Sequence, residues 1–222
     1  MSSLALRTLG RYLLPIAIVS ALACAPFAHL AFRAPWPRDL VTANVALGRA
    51  FALAGFAWAV TFVLVGAVAP LARALAVGRP LSQVHALRAA VVNGARMLIP
   101  SLTAIAAVVI GGLALVVPAL VLMVAFALTG ASEARGMPAP LVDSAEAVRV
   151  AWRPVAAVIG AMILVDVVLA IGAWKLVAVP FGRKLAPAQW ATYGNVARVV
   201  VLGVLVTSPI FAVLLACIRV RR

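Results

Sequence analysis

Apolar and polar positions alternate along this chain on two scales. On the longer one, apolar runs at 12–32, 51–75, 155–177 and 196–218 are separated by polar links. Each is long enough to cross about 30 Å of hydrocarbon at about 1.5 Å per helical residue. A further run, 98–129, is broken once by Val117-Pro118. As one straight helix it would reach about 48 Å, too long for a single crossing, so it is expected to fold back as two spans, 98–116 and 118–133. The second of these offers only about 24 Å of helix, short enough to thin the bilayer locally or to be re-entrant among neighbours.

The shorter scale is helical. In 82–97, Leu87, Val91, Gly94 and Leu98 fall at i, i+4, i+7 and i+11, with His85, Arg88, Asn93 and Arg96 on the other side. That spacing predicts an amphipathic helix lying at the membrane surface. Segment 141–153 has the same spacing in Leu141, Ala145, Val148 and Trp152, with Asp143, Glu146, Arg149 and Arg153 on more polar faces. Glu146 and Arg149 there stand at i, i+3, as an ion pair requires. Gly78-Arg79-Pro80 ends the second span with a C-cap glycine and a helix breaker. The pattern as a whole predicts an all-α, polytopic transmembrane helical bundle: one integral membrane domain, 1–222, of about six spans with two interfacial amphipathic helices.

The leading turns resemble one another. Arg11-Tyr-Leu-Leu-Pro15 and Arg96-Met-Leu-Ile-Pro100 match in pattern, and Arg149 to Pro154 is a looser third copy with one extra residue. A proline in the first turn of a helix forfeits no hydrogen bond, and an arginine beside it can anchor to lipid phosphate. Three pseudo-repeats follow, each an interfacial helix and two spans. The plainer alternative is that basic residues and early prolines are common where any polytopic chain enters the bilayer.

Composition fixes the solvent. Hydrophobic residues make up 66% and charged residues 11%, with a mean hydropathy of +1.18, whereas soluble domains carry about 45–50% and about 25%. The net charge of +14 would suggest nucleic acid on a soluble protein. Here the arginines stand singly or in pairs between apolar runs, where they hold loops against anionic phospholipid headgroups, so nucleic acid is not an expected partner. With six spans and a cytoplasmic N-terminus, twelve basic residues lie inside. Seven lie outside: Arg33, Arg38, Arg49, Lys175, Arg183, Lys184 and Arg198. Reading 98–129 as one span leaves ten against nine, so the positive-inside bias favours six spans with both termini cytoplasmic in the inner membrane. Ala21-Leu22-Ala23 behind a basic start also fits a cleavable signal peptide, but the run stays apolar to Phe32, which favours an uncleaved anchor.

From 98 to 163 the order of features is specific: an apolar span, Pro118, a short span, Glu133 followed by Gly136, then Ser144 and Trp152 on a helix leading into the next span. This order resembles a bacterial inner-membrane family, the six-helix proteins of the YciC type and the membrane domain fused to some glycerophosphoryl diester phosphodiesterases. The chain departs from that pattern in Ala119, where glycine usually follows the proline, and in Val142-Asp143, where basic residues commonly precede the serine. The resemblance implies an architecture and no particular activity.

Motifs for chemistry are absent. No phosphate-binding glycine loop, His-Glu-x-x-His or serine nucleophile elbow occurs, and there is no room for a phosphodiesterase domain. Cys24 and Cys217 sit in apolar runs without ligand-spaced partners and read as small apolar residues, so neither metal nor cofactor is expected. His29 and His85 fall on opposite membrane faces, and the five tryptophans suit the interfacial belt or packing. Asp166, about twelve residues into the fifth span, is the exception, because a charged carboxylate there costs at least about 2.5 kcal/mol. It is a candidate relay or counter-charge. The structural alternative is a protonated acid bonded to Ser20, Thr61 or Thr103.

These features favour a non-enzymatic envelope scaffold or assembly component, with Arg11, Arg88, Arg96, Arg149 and Arg153 as candidate contacts to anionic lipid or to another membrane or cytoplasmic protein. A small transporter or permease subunit using Asp166 in a polar path is the alternative. An enzyme acting on lipid ranks third.

Overall fold

The computed structural model describes residues 2–33, 60–114, 116–178, 203 and 206–220. The protein is all-α: α1 (Ser2–Arg33), α2 (Val60–Ala76), α3 (Gln83–Arg96), α4 (Leu98–Ala114), α5 (Val116–Phe126), α6 (Thr129–Glu133), α7 (Pro140–Ala178) and α8 (Val206–Val220). Two helices among the described residues are long and apolar enough to cross a membrane, Ser3–Pro26 in α1 and Pro140–Val165 in α7. A third crossing is available if Gln83–Arg96 and Leu98–Val108, bent by 46°, act as one span. The polar connection 34–50, the first part of the run 51–75, Trp36, Trp58, Trp190 and Tyr193 lie outside the described residues, as do the side chains of Lys175 and Asp166.

Each leading segment breaks at the same place. Tyr12 (φ −117°, ψ 26°) interrupts α1 three residues before Pro15, Ala151 (φ −115°, ψ 24°) interrupts α7 three residues before Pro154, and Met97 separates α3 from α4 three residues before Pro100. The cause is local: proline has no N–H for the carbonyl four residues back, and its ring crowds that carbonyl. The third copy therefore has no extra residue. Counted from the proline, Val150 occupies the place of Arg11 and Arg96, and the arginine has moved one position back to Arg149.

Burial repeats with the breaks. Ten residues before each proline are Ala5, Ala90 and Ser144; three before are Tyr12, Met97 and Ala151; one after are Ile16, Ser101 and Val155; four after are Val19, Ala104 and Val158. All twelve are buried. The steps of seven, four and three trace one helix face. Outward at the same level stand Leu13 and Leu14, Leu98 and Ile99, and Trp152 and Arg153.

This corrects the amphipathic stripes. On α3 the inward residues are Ala86, Ala90 and Gly94, while Val91 and Leu98 are exposed. On α7 they are Ser144, Ala147, Val148 and Ala151, and Trp152 is exposed. Both faces are rotated from the large-residue stripe towards small residues. Lipid tails solvate Leu and Val as well as another helix does, so the interface goes to side chains that let backbones approach. A Cβ placed on Gly94 would stand 3.5 Å from the Ala67 side chain and 3.8 Å from that of Val63, ordinary contact across to α2.

The run 98–129 does fold back, with α4 packed on α5, and Pro118 lies inside the first turn of α5 and does not itself mark the break. The short span expected at 118–133 is itself divided at Ala127 and Leu128 into α5 and α6. Gly130 of α6 then meets α2 backbone to backbone. A Cβ there would stand 2.8 Å from the Phe62 carbonyl oxygen and closer still to the Gly66 nitrogen, and a Cβ on Gly66 would collide with Met97 Cγ. Gly130→Ala is expected to destabilise the protein by about 3 kcal/mol or more, because only backbone could yield, and Gly66→Ala by about 1–3 kcal/mol, because the Met97 side chain can turn away. Thermal melting in a mild detergent would check the order, and equal effects would contradict the close approach.

Candidate functional site: the arginine-lined end of the bundle

The helix interruptions gather at one end. Pro15 leaves the Arg11 carbonyl without its helical donor, and the Gln83 side-chain amide donates to it at 2.7 Å. Beside it the Tyr12 hydroxyl accepts from the Leu81 N–H at 2.8 Å, fastening the α2–α3 turn to the kink in α1. That turn follows Gly78 (φ 73°), where Arg79 N–H donates to Ala74 C=O and Gly78 N–H to Leu75 C=O, the C-cap expected from Gly78-Arg79-Pro80. Gly136 (φ 73°) closes α6 with the same pair of bonds, from Met137 to Ser132 and from Gly136 to Glu133. Ser82 caps α3, accepting from His85 N–H, and its hydroxyl lies 2.7 Å from His85 Nδ1.

Ser144 repairs the break between α5 and α6. Its buried hydroxyl donates to Ala125 C=O at 2.8 Å and accepts from Leu128 N–H at 3.2 Å, so α7 supplies both bonds that the interrupted helix lacks. The preceding residue, Asp143, accepts from Arg219 Nη2 of α8 at 2.7 Å, and these two side chains are 16% and 15% exposed. Asp143 stands in the first turn of α7, before the kink.

Next to this ion pair opens a cavity of about 220 Å³, lined by Ala69, Pro70 and Arg73 from α2, Ala131, Ala134 and Arg135 at the end of α6, and Arg219 and Val220 of α8. Arg73, Arg135 and Arg219 fall in three links that charge counting assigns to one side, and they meet around one space. Sequence spacing could not single them out, because their proximity depends on how three helices end together. The Asp143–Arg219 pair, 76 residues apart, was equally hidden.

The five arginines singled out by sequence are all exposed and none makes an ion pair among the described residues. Arg88 and Arg96 lie on α3, Arg149 and Arg153 on either side of the α7 kink, and Arg11 at the α1 kink. Arg153 packs over the Trp152 ring, 5.6 Å from its centroid. Glu146 and Arg149 form no ion pair; the acid that pairs is Asp143. Asp166 lies on α7, beyond the kink. Of its suggested partners, the Thr103 hydroxyl donates to Ile99 C=O, Thr61 is buried, and Ser20 Oγ is buried without a partner. Cys24 and Cys217 are both buried, and among the described residues no group of three His, Cys, Asp or Glu side chains could hold a metal.

Ser144→Ala strands a carbonyl and an N–H together and is expected to cost about 1–3 kcal/mol, read as a lowered melting temperature. Asp143→Asn should cost about 1–3 kcal/mol near neutral pH. Thermal melting of the purified variants checks both, and a melting temperature equal to that of wild type in either would contradict the bond it removes.

Comparison of the chain with family models, with curated proteins and with solved structures yields no match.

Proposed function

We propose that the chain is a multi-pass scaffold or assembly component of a bacterial inner membrane, of the architecture that its resemblance to the YciC type implies. It crosses about six times, keeps both termini cytoplasmic and carries out no covalent chemistry. The observation that carries this reading is the orientation of the three leading segments: Arg11, Arg88, Arg96, Arg149 and Arg153 turn outward together with large apolar side chains such as Leu13, Leu14, Ile99 and Trp152. The chemically distinctive surface thus faces whatever surrounds the chain. The polar side chains buried in the described core are hydroxyls, Thr8, Ser20, Thr61, Ser101, Thr129, Ser132, Ser144 and Ser208, and several serve their own helix or a neighbouring break. Such groups hold helices together and do not charge a pathway.

The three breaks also give the surface a rationale. At one of them α3 meets α4 at 46°, an angle that would hold α3 at headgroup level, where arginine binds anionic lipid or a partner's carboxylates. In co-purification from native membranes, a protein partner is expected at fixed stoichiometry, with at least about tenfold loss when Arg88, Arg96, Arg149 and Arg153 are all changed to Gln and helicity is retained. Solute movement by the purified chain alone in liposomes, abolished by Asp166→Asn, would reject the scaffold in favour of a transporter.

A further inference from the structure

The cavity at the arginine-lined end combines size, charge and fixed geometry. Its walls include an arginine from each of three helix ends: Arg73 of α2 and Arg135 just past α6, both exposed, and Arg219 of α8, mostly buried. Arg73 and Arg135 make no hydrogen bond or ion pair among the described residues. Arg219 is held by Asp143 through Nη2, while its Nε is buried and has no partner. Three cations converging on a space of about 220 Å³ repel one another, and one carboxylate offsets only part of that. Of the remaining wall, Ala69, Ala131 and Ala134 are small enough to leave the space open.

The geometry points to a binding site for a phosphate ester in this cavity, with Arg73 and Arg135 as its principal ligands and Arg219 as a cation fixed in place by Asp143. Guanidinium forks match phosphate oxygens in pairs, and a dianion or monoanion between them relieves the repulsion. The surrounding helix ends lie where lipid headgroups would, so the phosphate belongs either to an anionic phospholipid or to a small soluble ester. This site is separate from the outward arginines of α3 and α7, and it stands whether the chain is a scaffold or a transporter.

Native mass spectrometry of the full chain in uncharged detergent tests it, with phosphatidic acid, inorganic phosphate and diacylglycerol as probes. Wild type is expected to retain one phosphatidic acid and no diacylglycerol. Retention should fall roughly tenfold in Arg73→Gln and in Arg135→Gln and stay unchanged in Arg7→Gln and Arg79→Gln, whose side chains are exposed and line neither the cavity nor the outward arginine surface. Displacement by millimolar inorganic phosphate would assign the site to soluble esters, and retention in its presence to lipid; both support the proposal. Equal losses in all four variants, or no saturable binding of either anion, would overturn it and leave the scaffold reading untouched. Should an arginine variant fail to fold, Ala134→Leu fills the cavity without altering its charge and is expected to abolish retention; unchanged retention in that variant would also overturn the proposal.

Discussion

Backbone groups set free where a helix is interrupted must find partners, and this obligation organises the protein. In lipid an unsatisfied carbonyl or N–H costs several kcal/mol, so an interruption survives only where protein or water can complete it. The chain interrupts its helices repeatedly and completes several of them with side chains from elsewhere in sequence: Gln83 for the Arg11 carbonyl, Tyr12 for the Leu81 N–H, Ser144 for both groups at the α5–α6 break. Each repair is also a tether between elements. The repairs at Tyr12 and Ser144, the glycine caps and the ion pair therefore lie near one another, and the cavity opens among them.

Packing obeys a second rule of the same solvent. Because hydrocarbon rewards no apolar side chain for leaving it, contact between helices is gained by close approach, and small residues control it. Gly66, Gly94 and Gly130 bring α2, α3 and α6 together, while Leu13, Leu14, Leu98 and Ile99 are left on the outside. α2 is thereby enclosed over most of its length, with Leu64, Val65, Val68 and Leu71 buried.

Much of this was legible in the sequence wherever one residue type forces one geometry. Pro15, Pro100 and Pro154 stand just behind the three leading breaks, the excess length of 98–129 required a return, and Gly78 before Arg79-Pro80 marked a stop, whereas the α5–α6 break has no proline to announce it. The inward faces were misjudged by about one residue because the largest apolar side chains were assumed to point at the protein, an assumption that holds in water and fails in lipid. Counting the third leading turn from its arginine produced an apparent insertion; counting from Pro154 removes it. The Asp143–Arg219 pair and the three-arginine cavity carry no periodic signal, since they arise from the ends of helices brought together only in the folded chain.

The Ser144 repair sets an order on biosynthesis. Ala125 and Leu128 emerge from the ribosome nineteen and sixteen residues ahead of the hydroxyl that completes them. During translation the returning arm of the hairpin cannot settle at its final depth until the first turns of α7 have been made. Water must serve both groups in the interval, so the break between α5 and α6 closes only once α7 has begun to fold against it.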